Sequence, residues 1–232
     1  MNEFWEKQSK KRVEFIHSIS NLSNNQDFSK EKSKIEMLII ENHLKEINKN
    51  FDSCIEIGAG TCQWTHLLTK FSKNVLATDT SVEMLKRGKE HLKKNFLTSK
   101  RISYFCGDIL KEKLPENSPY DLFFISGLIL YLEEQNFLDL LNFINTFTRK
   151  NSIIILREPV ATNETYILNN VFSKELQTNY SAIYRTENDI IKLFKKFNFI
   201  IFKKKWIHED GSKFNKWTKT RLKLFTFKRI SK

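Results

Sequence analysis

An apolar run, Cys54 to Ile57, broken only by Glu56, leads at once into Gly58-Ala59-Gly60. The run reads as a buried strand. Beyond the glycines, Trp64, Leu67, Leu68 and Phe71 recur at i, i+3, i+4 and i+7, the spacing of one helical face. Strand, glycine turn and helix in that order form a nucleotide-binding unit. Glycine adopts positive φ without penalty and lets a ligand approach the backbone where a Cβ would clash. The N–H groups at the start of the helix have no intrahelical partner and face that ligand.

Known ligand classes that use this unit differ in their next residues. A dinucleotide site wants G-x-G-x-x-G, with pyrophosphate on the helix N-terminus. Here Gln63 stands in the place of the last glycine. A Walker loop ends in Gly-Lys-Ser/Thr, which is absent. The stretch resembles instead the E/D-x-G-x-G-x-G signature of class I S-adenosylmethionine-dependent methyltransferases. Glu56, Gly58 and Gly60 match it, and Cys62 stands where the third glycine often sits.

Later segments fall in the order this resemblance implies. Asn74 to Asp79 reads as a second strand ending in an acid, and Asp79 lies 21 residues beyond Gly58. A βαβ unit of that spacing puts a carboxylate at the edge of the neighbouring strand, where it can accept both hydroxyls of a ribose. Thr80-x-x-Glu83 reads as a capping box for a helix over 81–95 carrying Val82, Met84, Leu85 and Leu92. Ile102 to Cys106 is a third strand, followed by Gly107-Asp108-Ile109; Tyr120 to Gly127 is a fourth, apolar enough to be covered on both faces. A helix over 134–148 and strand five, Ser152 to Leu156, follow. Arg157-Glu158-Pro159 then ends that strand, with its two charges pairing with each other or meeting the acceptor. A helical insert is expected at about 159–185, with its helix over 163–178. Beyond it lie a tyrosine-rich run to Arg185, a helix capped at Thr186, strands near 198–207 and 220–230, and the turn His208-Glu209-Asp210-Gly211.

The resemblance covers residues 51–230 or so and implies an α/β, Rossmann-like, seven-stranded and mostly parallel sheet. That sheet has helices on both faces and an antiparallel C-terminal hairpin. Residues 1–50 are expected to form an N-terminal helical lid, from helices over 2–20 and 29–48, the second burying Ile35, Leu38, Ile39 and Ile47. Residues 51–232 form the cofactor domain. The resemblance implies S-adenosylmethionine as cofactor, with Glu56, Gly58, Ala59, Gly60, Asp79, Thr80 and Met84 around its ribose and methionine parts. Asp108 would take the adenine amine, Ile109 would cover the ring, and Ser126, Gly127 or Leu128 would hold the methionine ammonium. Acceptor-side candidates are Tyr131, Glu158, Tyr184, Arg185 and His208, with Tyr131, Glu158 and His208 as catalytic candidates.

Methyl transfer from a sulfonium is an in-line displacement with a neutral leaving group, so alignment and water exclusion matter most. A base is needed only for a protonated acceptor. No Asn/Asp-Pro-Pro-Tyr/Phe follows strand four and no Pro-Cys dipeptide occurs, which disfavours two nucleic-acid groups. The expected acceptor is an O or N of a small molecule or carbohydrate, anionic ones included. An RNA or protein-N-terminus methyltransferase is the alternative, and a non-catalytic nucleotide binder a further one. The net charge of +12 motivates the RNA form, through a basic tail from Lys203 to Arg229. A chain rich in Lys, Asn, Ile and Phe also acquires such charge from codon bias alone. Three cysteines without a C-x-x-C pair fit a reducing cytoplasm, and no metal-ligand spacing appears. Met1 to Arg12 is too polar for a signal peptide, and the longest apolar run, Leu122 to Leu132, is too short to span a bilayer.

Overall fold

The structure is a computed structural model and describes residues 5, 26–95, 101–115, 119–173, 178–215 and 217–230. In chain order the elements are α1 (Gln26–Ile47), β1 (Phe51–Ile57), α2 (Thr65–Leu68), β2 (Ser72–Asp79), α3 (Val82–Asn95) and β3 (Ile102–Cys106). Then come β4 (Tyr120–Ser126), a 3-10 turn (Ile129–Tyr131), α4 (Glu134–Phe147), β5 (Thr148–Ala161), β6 (Tyr166–Ser173) and β7 (Thr178–Tyr184). The chain closes with α5 (Glu187–Lys196), β8 (Phe199–Trp206) and β9 (Thr220–Arg229). Seven strands form a sheet in the order β3-β2-β1-β4-β5-β9-β8, and β6 and β7 form a separate ribbon. The pairs β1–β2, β2–β3 and β4–β5 are parallel, while β9 runs antiparallel to β5 and β8. This is the α/β sheet with an antiparallel C-terminal hairpin that the motif order implied. By contacts the described residues divide into two compact units, 26–115 and 119–230.

In the first unit, Cys54–Ile57 of β1 and Val75–Thr78 of β2 are buried throughout, as suits strands covered on both faces. Helix α3 buries Met84, Leu85, Gly88 and Leu92 along one stripe, while Val82, expected among them, is exposed at its first residue. Helix α1 corrects a second expectation. Its buried positions are Ser29, Ser33, Glu36, Ile40, His43 and Leu44, and Leu38 is exposed. The helical period is intact but runs through small and polar side chains, so apolar residues alone misplaced the face by about one residue. The helix expected over 2–20 lies outside the described residues except at Trp5.

In the second unit, Tyr120–Ile125 of β4 are buried, and α4 buries Phe137, Leu140, Leu141 and Ile144. Phe194 of α5 stacks on Phe227 of β9 at 3.8 Å between centroids and meets Phe137 and Phe199 edge-on at 6.1 Å each. Strand β5 is longer than expected. Its parallel partner β4 ends at the Ser126–Arg157 pair, but β9 continues alongside it to the Ala161–Thr220 pair. Arg157, Glu158 and Pro159 therefore lie within the strand instead of ending it. Pro159 falls where β4 has stopped, so its missing N–H deprives no neighbour of a bond.

The helical insert is overturned: residues 163–178 contain no helix among the described residues, and β6 and β7 pair as an antiparallel hairpin. Tyr166, Ile167, Val171 and Phe172 are residue types that favour strands. A register shift between Leu168 and Val171, with Asn170 at φ 53°, breaks the alternation that would have shown the strand in the sequence.

Candidate functional site

In the first unit, β1 ends in a tight elbow. Gly58 (φ 71°), Gly60 (φ 54°) and Cys62 (φ 57°) are all left-handed. Ala59 N–H donates to Thr78 O at 2.8 Å, and Cys62 N–H donates to Ala59 O at 2.8 Å. A non-glycine residue at such φ costs on the order of 1 kcal/mol. Cys62 is held there by packing: it is buried among Ala59, Ala77, Leu85 and Leu92. It also lies directly against Gly88 of α3, where a Cβ would come within 2.6 Å of Cys62 Sγ and 2.8 Å of the Thr61 carbonyl carbon. The small residue that close approach demands thus sits on the helix, and the loop position carries a side chain.

Gly60 N–H donates to Asp79 Oδ2 at 2.8 Å, and Ser81 N–H donates to Asp79 Oδ1 at 2.9 Å. Asp79 is therefore a fixed, half-buried carboxylate at the end of β2. It is the carboxylate expected from the sequence to accept the ribose hydroxyls. Gly107 N–H donates to Asp79 O at 3.0 Å, which brings the end of β3 to the same place. There Asp108 Oδ1 accepts from Leu110 N–H at 3.0 Å, Lys111 Nζ lies 3.3 Å from Oδ2, and Ile109 is half-buried. The expected Thr80–Glu83 capping box does not form. Ser81 Oγ accepts from Met84 N–H at 3.2 Å, Glu83 pairs with Arg87 at 2.9 Å, and Thr80 is exposed. Met84 lies in the buried face of α3.

Glu56 is buried and accepts from Thr65 Oγ1 at 2.5 Å, pinning the start of α2 to β1. Burial pushes its carboxyl up to about 8, with the Asp79 charge adding to the effect and the Thr65 bond opposing it. This is the geometry of a brace for the loop.

Two residues outside the expected set belong here. Gln63 is 8% exposed and Thr61 2%, and among the described residues the Gln63 amide and the Thr61 hydroxyl have no hydrogen-bond partner. An unpaired buried amide costs about 1–3 kcal/mol, so these groups call for a polar ligand. Gly60 points the same way: a Cβ there would meet nothing within 4 Å, so its Cα faces open space. In the sequence Gln63 registered only as the residue that breaks a dinucleotide pattern, and Gly88 was not singled out.

In the second unit, β4 runs out at Ser126-Gly127. Gly127 is left-handed (φ 63°), its N–H donates to Arg157 O at 2.9 Å, and Ser126 Oγ accepts from Arg157 Nη1 at 3.1 Å. The next residues form the 3-10 turn, held from both sides. Glu158 takes its N–H groups, Leu130 at 2.9 Å and Leu128 at 3.2 Å. Arg185 takes its carbonyls, donating to Ile129 O at 2.8 Å and Leu132 O at 2.7 Å while lying 5.0 Å over the Phe137 ring. Burial raises the Glu158 carboxyl to about 7, against the pull of the Leu130 and Leu128 N–H groups and Arg157. Arg157 and Glu158, adjacent in a strand, point to opposite faces and serve different partners.

The turn carries Tyr131, whose phenol is raised by burial, then by Glu158 and Tyr180. Tyr184 is raised by burial and by a hydrogen bond to Tyr180. The expected candidates Tyr131, Glu158, Tyr184 and Arg185 are thus gathered. His208 is a packing residue: it is buried, its ring lies 5.0 Å from Phe214, and its carbonyl accepts from Arg221 at 3.0 Å. Much of the basic tail is also used internally. Lys204 and Lys223 pair with Glu187, Arg221 and Lys223 lie over Trp206 at 4.3 and 3.9 Å, and Arg229 donates to Asn145 and Thr148 carbonyls at 2.9 Å each.

The model of the family described as AdoMet dependent proline di-methyltransferase matches residues 2–213. The chain belongs to this family. It is thus an S-adenosylmethionine-dependent methyltransferase, and the elbow fits that cofactor through Gly60 and the unpaired Thr61 and Gln63. The N-terminal Xaa-Pro-Lys N-methyltransferase 1-A of Xenopus laevis is 28% identical over 168 residues, 66% of this chain and 73% of that one. Among solved structures, phosphoethanolamine N-methyltransferase 1 of Haemonchus contortus superposes with a TM-score of 0.71 at 20% identity, over 99% of this chain and 48% of that one. A methyltransferase of Leishmania major gives 0.67 at 18%, over 97% and 82%. Among the described residues no helix is long and apolar enough to cross a membrane.

Proposed function

We propose that this methyltransferase acts on an amine nitrogen, the α-amino group at a polypeptide N-terminus. The family match over 2–213 carries the reading, and the Xenopus relative, named for Xaa-Pro-Lys N-termini, supports it. The chemistry is consistent. The attacking nitrogen must be neutral, and an α-amino group titrates near 7.7–8.0 where a lysine needs about 10.4, so near neutral pH only a modest base is required. S-adenosylmethionine supplies the methyl group. Asp79, the glycine elbow, Gln63 and Asp108 are the residues we assign to holding it. Tyr131 and the groups around it are assigned to the acceptor, and Glu158, with its oxygens on the turn, to positioning. Ser126 and Gly127 remain assigned to the methionine end.

A small amine is the second reading, favoured by the likeness to an enzyme named for phosphoethanolamine. The sugar and O-directed acceptors expected from the sequence have no comparable support. The test is mass spectrometry of short peptides beginning Ala-Pro-Lys or Ser-Pro-Lys after incubation with enzyme and S-adenosylmethionine. Free N-termini gain methyl groups and acetylated ones do not. Methylation of ethanolamines or sugars with untouched peptides would overturn the peptide reading.

A further inference from the structure

Four of the chain's six tyrosines belong to one small region of the second unit. Tyr180 and Tyr184 share a face of β7 with buried Ala182, since alternate residues of a strand point the same way. Their phenols are hydrogen-bonded to each other. Tyr166, paired with Tyr184 across the hairpin, stacks on it at 6.1 Å and an interplanar angle of 20°. Strand β7 packs against both the 3-10 turn and β5, which brings up Tyr131 and Glu158. All four rings are half-buried, so they are neither core nor free surface.

Among the described residues, the charges in this region are few. Arg185 is committed to the Ile129 and Leu132 carbonyls, Arg157 to Ser126, and the Glu158 oxygens to the turn's N–H groups. Among the described residues, that leaves ring faces, phenol oxygens and the buried Glu158 carboxyl behind them. One ammonium already uses such a face: Lys219 Nζ lies 4.7 Å from the centroid of Tyr166. Ring faces attract cations, and N-methylated ammonium ions especially, because they require no N–H donor. A carboxylate-lined site loses a hydrogen bond with every methyl added to its ligand; a ring-lined site does not.

We propose that Tyr131, Tyr180 and Tyr184 form the acceptor subsite and bind the N-methylated ammonium of a polypeptide N-terminus through their ring faces, with the Glu158–turn–Arg185 clamp fixing Tyr131. This rests on the amine reading above. It adds that the site holds its acceptor as well after methylation as before.

The test uses tetramethylammonium chloride as probe and neopentyl alcohol as its neutral counterpart of similar shape, each followed by tyrosine ring shifts in NMR titrations of the full chain. The cation binds and the alcohol does not. Tyr180→Leu and Tyr184→Leu weaken the cation by about tenfold, while Tyr180→Phe and Tyr184→Phe, which keep the ring, stay close to wild type. Affinity for S-adenosylhomocysteine is measured in each variant as a check that the fold is intact. Equal binding of cation and alcohol, or Leu variants that bind the cation like wild type, would overturn the proposal. If peptides are not methylated yet the cation binds in this ring-dependent way, the peptide reading fails and the subsite stands.

Discussion

Replacing Gly88 by alanine sets two effects of opposite sign against each other. In a helix interior alanine is favoured over glycine by about 1 kcal/mol. At Gly88, however, the new Cβ would lie 2.6 Å from Cys62 Sγ, 2.8 Å from the Thr61 carbonyl carbon and 2.9 Å from Cys62 Cβ. Thr61 C and Cys62 Cβ move only with the backbone, and Cys62 Sγ ends a short side chain that is 1% exposed. Cys62 is buried and left-handed, and its backbone is tied to Ala59. Overpacking of this kind costs about 1–3 kcal/mol and more when backbone must move. The expected result of Gly88→Ala is a net loss of about 1–2 kcal/mol, a fall in melting temperature of roughly 2–8 °C for a chain of this size. Relief requires the elbow to shift by several tenths of an ångström, which strains the Gly60–Asp79 bond, so affinity for S-adenosylhomocysteine falls as well. Adding Cys62→Gly removes two of the three contacts and should recover part of the loss, with a coupling of about 0.5–3 kcal/mol in a double-mutant cycle. Urea denaturation and calorimetric titration measure the two quantities. A Gly88→Ala protein that is more stable and binds normally would refute the close-contact account.

Asp79→Ala and Gly58→Arg are expected to abolish S-adenosylhomocysteine binding in calorimetry while circular dichroism shows the fold retained; wild-type affinity in either would displace the cofactor assignment. Gln63→Leu should leave the unliganded protein as stable or more stable, because an unpaired buried amide is removed, yet weaken the cofactor by about tenfold or more. Equal affinity would mean that Gln63 faces no ligand. The buried carboxyls give a pH signature. Glu56, raised to about 8, and Glu158, raised to about 7, each hold a proton in the folded state that the unfolded chain releases near its ordinary value of 4.5. Stability is therefore greatest below about 4.5 for these two groups and declines as pH rises through 7 and 8. Glu56→Gln should flatten the upper part of that decline in urea titrations; an unchanged slope would show that Glu56 ionises freely.

Sequence order alone located β1, the glycine elbow, Asp79 and Asp108, because each is announced by a change of residue type at a strand end. It also delivered the antiparallel pair β8 and β9. What escaped it has physical causes. The face of α1 was misread because Ser29, Ser33 and His43 carry the burial. The β6–β7 hairpin was taken for helix because its bulge at Asn170 breaks the alternation that would reveal a strand. Gln63 and Gly88 were passed over because their importance is relational: one lacks a partner and the other must lack a side chain, and only three-dimensional neighbours show either. The acceptor choice moved from sugars towards amines on relatives, since no local pattern in the second unit distinguishes the two.

The clamp on the 3-10 turn implies a constraint of another kind. Above about pH 7, where Glu158 is ionised, it and Arg185 are buried charges of opposite sign, each satisfied by the same short run of peptide groups. Peptide dipoles lie between them like an oriented dielectric, and each charge is stabilised by a polarisation that the other helps maintain. Neither position can then drift alone in evolution. A neutral replacement at one end leaves the other facing dipoles with nothing to complete them, so the pair should be inherited together or lost together, and a lineage that changes its acceptor has to redesign both ends of the turn at once.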